Sequence, residues 1–519
     1  MRPPTTFVFP LERWDEVVDA LGGIGFAFGP AEVVARTVLD TFDGRLHKAG
    51  VRLDAIGVGP FRLVVVGENL RLGVGPGFGD VEVASLPTFA ADVPDGELGR
   101  CLHAVIEPRR LLPLVQVAVE QTTGTWKDRS GLTVGIVTLG RHLVVGGRPV
   151  GQPAGIVEVH TVPGCRKRAR RVEQAIAGRG LAGAPGDTVV VAAEAAGIDL
   201  AGFSAPPTVA LDPMMHTLDG FRAVLSNMAE VIEANWQGTV EHLDPEFLHV
   251  LRVAVRRTRA VLAHGKNVLP PTVTERAREG FAWLGAISGP ARDLDVHLLD
   301  WDRYTSPLGS AAVSSLEPVR ALLQQRQAEA HAALAEGMQS AQARELLEFW
   351  RAWLHPRPRA RRPPPGPQAE RLLGAFVVRR IERAQDTLLE RGRLIHPDTP
   401  AAQVHDLRKD AKRLRYLLEC FGGLLPPAPR KRFVQRLKAL QDNLGRHQDA
   451  EVYVGELRAL AHALPPATSA DTLVALGRLI ERLDASRVAA RAEFAQRFAA
   501  YDTQGTQRAL ELALALPAR

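Results

Sequence analysis

Residues 405–421 read HDLRKDAKRLRYLLECF, and residues 249–262, HVLRVAVRRTRAVL, carry the same pattern upstream. In each, a histidine is followed by cations at the third, seventh, eighth and tenth positions: His249, Arg252, Arg256, Arg257 and Arg259, then His405, Arg408, Lys412, Arg413 and Arg415. All five pairs are 156 residues apart (405 − 249). The offset persists downstream, where Leu284, Gly289, Asp293 and Val296 meet Leu440, Gly445, Asp449 and Val452. A pattern that keeps register over that distance marks a duplicated structural unit.

On a helix the histidine and the cations at positions three, seven and ten fall within about 80° of one another, with the eighth-position arginine at their edge. The opposite face is apolar: Leu251, Ala254, Val255, Val261 and Leu262 in the first copy, Leu407, Ala411, Leu414, Leu417 and Leu418 in the second. Each unit is expected to bury that face in a helical core and to turn its cations outward or into a cleft. Two such rows can face each other.

The 519 residues are enough for two or three domains, and apolar and charged fractions of 46% and 24% fit a soluble globular chain. The net charge of +6 is modest, so the interest lies in its local concentration on the two motif helices. Cys101, Cys165 and Cys420 are few, odd in number and far apart, which speaks against a disulfide framework and for a reducing cytoplasm. No basic-then-apolar leader opens the sequence and no apolar run approaches membrane-spanning length.

Residues 1–205 read as an α+β domain dominated by antiparallel strands. Short β-branched or alternating runs occur at 61–66, 81–84, 114–120, 132–139, 142–145 and 156–160, separated by glycine-rich stretches at 73–79 and 146–155. Amphipathic helices are expected at 11–22 and 172–177, and the composition turns helical after Pro206 and Pro207. Residues 36–53, RTVLDTFDGRLHKAGVRL, resemble the early strand–turn–helix of the CYTH domain, the triphosphate tunnel fold of inorganic triphosphatases and class IV adenylate cyclases; 155–160 and the following helix resemble its closing elements. The resemblance implies an opening E-x-E-x-K strand and paired basic residues on the middle strands. This sequence has PTTFVFP at 4–10 and LPLVQVAVEQT at 112–122, neither of which supplies them. Glu158 and Glu82 are the acids that remain, a poor basis for a two-metal site. The domain is therefore expected to be a scaffold or regulatory element, open to a protein partner, with no catalytic residues, metal or cofactor.

From Asp212 onward the periodicity is helical, with helices expected near 218–237, 245–265, 271–287, 291–304, 310–339, 341–354, 369–392, 401–422, 429–444, 447–463 and 470–499. The expected organisation is an all-α domain of two repeated helical bundles, 206–355 and 369–515, joined at 356–368 within the Pro/Arg-rich stretch HPRPRARRPPPGP. That stretch reads as an extended linker or as an extra anion-contacting arm.

The two motifs, with ISGPARDLDV and NLGRHQDAEV downstream, closely resemble the two repeats of the CHAD (conserved histidine α-helical) domain. The resemblance implies binding of inorganic polyphosphate on the basic helix faces and association with polyphosphate granules. Such a ligand carries about one charge per phosphate and no bases to read, so it calls for closely spaced donors. Arginine presents a planar N–H fork to phosphate oxygens, each charge-assisted bond contributing about 1.5–3 kcal/mol. The ten motif residues are joined as candidates by Lys409 and Lys438 and, from the downstream elements, Arg292 and His447. The motif histidines either contact the anion or hold neighbouring side chains. Asp293 and Asp449 are expected to orient motif arginines or cap a helix. Two other classes stay open: a metal-dependent triphosphatase using the N-terminal domain, disfavoured by its missing strand, and a nucleic-acid binder, disfavoured by the near absence of aromatic side chains from the motif helices.

Overall fold

The computed structural model describes residues 5–67, 80–107, 109–145, 148–149, 154–160, 162, 164–178, 182–184, 209–356 and 363–516. The chain divides into two compact units, Met1–Ser204 and Ala205–Arg519.

The first unit is built on β1 (Thr5–Pro10), β2 (Phe26–Phe28), β3 (Glu32–Thr41), β4 (Val51–Ile56), β5 (Phe61–Gly67), β6 (Val81–Val83), β7 (Leu111–Lys127), β8 (Thr133–Val145), β9 (Arg148–Pro149), β10 (Ala154–His160) and β11 (Ala182–Ala184). Their order is β11-β1-β10-β8-β7-β3-β4-β5-β6, with β2 beside β7 and β9 beside β8. Every pairing is antiparallel. Alternation along the strands sends Phe7, Phe9, Val137, Leu139, Val157 and Val159 into one core beneath the helices Trp14–Ile24 and Arg166–Ala177. The segments expected separately at 132–139 and 142–145 are one strand. Gly140 does not turn the chain: it pairs with Gln121, and a Cβ there would lie 3.0 Å from Val119 Cγ1. The glycine-rich stretch 73–79, most of 146–155, and Pro206 and Pro207 lie outside the described residues.

The other sheet face carries Glu158 and His160, and register places Arg36, Asp54, Val115, Val117 and Val119 on it too. Its charges are mostly answered locally. Arg52 Nε donates to Asp54 Oδ1 at 2.6 Å, and Glu158 lies 3.8 Å from His160. Burial, then the charge of Arg36, lowers the pKa of His160.

The second unit is helical. The motif segments form the helices Pro245–His264 and Ala401–Cys420, each of 20 residues, and all ten apolar residues named for their inner faces are buried. The first starts as its sequence dictates, with Asp244 Oδ1 accepting from the N–H of Glu246 at 2.7 Å and Pro245 in the first turn. Other helices start 156 residues apart as well: Thr217–Ala234 and Leu373–Arg393, Pro271–Ile287 and Pro427–Ala463. The main core runs without a break through both halves, from Phe221 to Leu510, and a smaller one joins Trp301 and Leu316 to Leu457 and Leu476.

Two helices expected at 429–444 and 447–463 are one, Pro427–Ala463. In the first half the same region is broken at Ser288, because Pro290 follows Gly289 and cannot continue the preceding hydrogen-bond ladder. The position 156 residues beyond Pro290 is Arg446, and the helix runs straight through Gly445. Beyond the expected elements, a short helix Gln504–Leu514 closes the unit. The linker's arginines lie outside the described residues, but its end is anchored: the N–H of Gly366 donates to Val268 O at 3.0 Å and that of Gln368 to Asn267 O at 2.8 Å. A side chain at Gly366 would meet the Asn267 carbonyl carbon at 2.3 Å. No helix among the described residues is long and apolar enough to cross a membrane.

Candidate anion-binding groove

The two motif helices pack against each other. To one side of the pair opens a cavity of about 920 Å³. The first motif helix and its C-terminal turn give it Arg256, Arg259 and Lys266; the second gives Lys409, Lys412 and Arg413; Arg278 enters from the helix Pro271–Ile287. Against these seven cations stand two lining acids, Glu275 and Glu279. Arg256 and Lys412 hold the same position of the motif, 156 residues apart, and both face this space.

The cations here are poorly compensated. Among the described residues Arg256, Arg259, Lys266, Arg278 and Lys412 form no ion pair, and Arg256 Nε is buried without an acceptor. Burial, then the charges of Arg408 and Arg256, push the Lys412 ammonium down to about 8. Arg252 is lowered as well, by burial first, with Asp293 opposing and Arg256, Arg292 and Arg259 adding to the fall. Like charges held together in a cleft with unused donors favour an anion there.

Several motif residues are already engaged. Arg252 Nη1 donates to Gly285 O at 3.0 Å and Ser288 Oγ at 2.9 Å, tying the end of the helix Pro271–Ile287 to the motif. Its counterpart Arg408 donates to Asp449 at 2.8 Å. His405 Nδ1 hydrogen-bonds Gln448 Oε1 at 2.8 Å, and His249 is half-buried. On the groove side Lys409 pairs with Asp406 at 2.6 Å, both exposed, so an anion can compete there, and the exposed Arg413 pairs at 3.1 Å with Asp410, which is buried and also holds Arg391.

Two expected rows become one groove because the eighth-position arginines point to opposite sides of the helix pair. Arg413 reaches the groove, whereas Arg257 lines a separate cavity and donates to Glu419 Oε2 at 2.6 Å. Glu419 also lies 3.3 Å from Arg415, whose Nη1 donates to Gln441 at 3.0 Å. Lys438 is exposed and absent from the groove lining, and His447 is only 5% exposed. Nine residues on one helix separate these two side chains, which is half a turn out of phase, so they cannot share a face. His447 instead lies near Arg487 and Arg491; burial, then those charges, lowers its pKa against the opposing effect of Glu451. Arg292 lies close enough to Arg252 to act on its charge, without lining the groove. Lys266 and Arg278 escaped the sequence reading because neither belongs to the repeated pattern; only the packing of a neighbouring helix and turn brings them in.

Residues 223–458 match the family model of the CHAD domain, which includes both motif helices and the groove. The helical unit therefore contains a CHAD domain over that span. Among solved structures, the chain is similar to the crystal structure of the CHAD domain from the plant Ricinus communis, at 29% identity over 60% of this chain and 98% of that one, with a TM-score of 0.44. It is also similar to PptA from Streptomyces chartreusis, at 22% identity over 55% of this chain and 99% of that one, with a TM-score of 0.42. A search among curated proteins found no match.

Proposed function

We propose that this protein binds inorganic polyphosphate in the groove between its motif helices and acts as a non-catalytic scaffold or recruiter on polyphosphate granules. The observation that carries the reading is the juxtaposition of Arg256, Arg259 and Lys412 in one cleft with no carboxylate among the described residues paired to any of them. A flexible chain of phosphates answers that arrangement with one charge per unit and oxygens on every side. Within the proposal the helical unit is a duplicated bundle with approximate two-fold symmetry. In support, His216 and Leu372, 156 residues apart, form an antiparallel bridge, flanked by reciprocal bonds from Thr217 N to Arg371 O and from Leu373 N to Met215 O at 2.8 and 2.9 Å. The N-terminal unit is read as a CYTH-like sheet without its chemistry: three valines of β7 occupy the face where paired arginines would be needed.

Binding of labelled long-chain polyphosphate to the full-length protein tests this. Duplex DNA serves as competitor and phosphate release is followed in the same samples. The expected result is tight binding that resists DNA, no phosphate released with Mg²⁺ or Mn²⁺, and weakening by one to two orders of magnitude in Arg256→Ala/Lys412→Ala. That variant should also lower the slope of log affinity against log salt by about 1.5, as for two lost phosphate contacts. Wild-type binding by the variant removes the groove from the mechanism, and released phosphate moves the function to the N-terminal unit.

A further inference from the structure

Away from the groove, His242, Asp295 and His331 converge in the first half of the helical unit, with one ligand atom from each lying within 4.8 Å of the others. We propose that these three residues bind a borderline divalent cation of the Zn²⁺ class. Asp295 is fully buried, and its Oδ1 accepts from His331 Nε2 and from Gln327 Nε2, each at 2.8 Å. His242 Nε2 stands 4.0 Å from the same oxygen. Tetrahedral Zn²⁺, with bonds of about 2.0–2.1 Å, separates its ligand atoms by about 3.3 Å, a value that lies between these distances.

Two atoms of the cluster are left over by the protein's own hydrogen bonding. Asp295 Oδ2 and His331 Nδ1 are both buried and without a partner among the described residues. A buried carboxylate with one oxygen unanswered is costly, and a cation bound to it removes that cost. The imidazoles of His242 and His331 stack with centroids 3.5 Å apart and planes within 17°. Binding splays them, since two rings radiating from one ion cannot remain parallel, and His242 is the one able to move, with 37% of its side chain exposed. On binding, the ring proton of His331 moves from Nε2 to Nδ1, whose lone pair is otherwise unused, so that the neutral imidazole presents its Nε2 lone pair to the ion while Gln327 continues to hold the carboxylate. Two imidazoles and one carboxylate suit Zn²⁺ or Co²⁺ rather than Mg²⁺ or Ca²⁺. The fourth position falls to water.

The positions 156 residues further on are Asp398, Glu451 and Arg487, a set without imidazole that carries its own counter-charge. The site therefore belongs to the first half alone. His242 lies two residues before the Asp244 cap, so a bound ion fixes the entry to the first motif helix.

The test takes the full-length protein stripped with chelator and titrated with Zn²⁺ and Co²⁺, reading stoichiometry, the Co²⁺ visible spectrum and the melting midpoint. One tight equivalent per chain is expected, with nitrogen-ligated Co²⁺ absorption and a higher midpoint on loading. His242→Asn should weaken binding at least tenfold. Asparagine tolerates the left-handed backbone at this position (φ 49°), so the variant should remain folded. His462→Asn, at an exposed histidine elsewhere, should bind as wild type does. Absence of a tight equivalent in wild type, or an unchanged equivalent and spectrum in His242→Asn, overturns the proposal; Asp295→Asn with unchanged affinity does so independently.

Discussion

His297 and Tyr453 stack face to face, with ring centroids 3.8 Å apart and planes within 13°. The two are 156 residues apart, the spacing of the motif helices, so a contact between them is what an axis relating two copies would produce. Tyr453 is 2% exposed and its hydroxyl is buried without a partner among the described residues. Tyr453→Ala is expected to cost about 3–5 kcal/mol of unfolding free energy. Tyr453→Phe, which removes only an unsatisfied hydroxyl, is expected to be neutral or slightly stabilising. Urea unfolding of the two variants separates the outcomes.

Glu419 makes the helix pair one-sided. It holds Arg257 and lies beside Arg415, whereas the position 156 residues earlier is Ala263, on the groove wall. Glu419→Ala is expected to free both arginines and to raise polyphosphate affinity several-fold, with a steeper salt dependence. Ala263→Glu is expected to lower affinity by a similar factor. Titrations at two salt concentrations check both signs.

Lys412 makes binding sensitive to mild alkali. With its pKa near 8 in the free protein, an anion in the groove favours the charged form and raises that value, so binding takes up a proton above pH 8. Affinity is expected to fall as the pH rises from about 8 to 10, and Lys412→Arg to abolish most of the fall. The stability linkage has the opposite sense. The unfolded chain holds this proton more tightly than the folded one, so unfolding free energy gains a positive contribution as pH rises from about 8 toward the ordinary lysine value.

His264 is expected to make the helical unit acid-sensitive. It is half-buried, its Nε2 has no partner among the described residues, and burial, then Arg380 and Arg413, hold its pKa down to about 4. The unfolded chain binds this proton first, so stability is expected to decline as pH falls from about 6.5 to 4 and to level off below. His264→Gln should flatten that part of the pH–stability curve.

The repeat was legible because both of its parts are local: a cation ladder on one helix face, and an apolar stripe that packing then buried at all ten named positions. The break at Pro290 was equally local, whereas the break expected at Gly445 does not occur, because a glycine with no proline after it can stay within a continuous helix. What escaped depends on chain-distant neighbours. Glu419 reads as one more helix-surface acid until Arg257, 162 residues earlier, is brought to within 2.6 Å. His447 reads as a candidate from the element downstream of the motif until packing against the helix Ala470–Tyr501 buries it. Lys266 and Arg278 become groove residues only through the way their elements pack, and His242, Asp295 and His331 lie on three separate elements that only the fold brings together.

The continuous core has a consequence for the connectivity of the chain. Residues from both halves interlock from Phe221 to Leu510, and the segment entering the second half is pinned to the backbone of Asn267 and Val268. The covalent link through 357–362 therefore joins pieces that are already fastened by packing. A protease cut there, or two separately expressed fragments ending at 356 and beginning at 363, should yield a nicked heterodimer that co-elutes as one species.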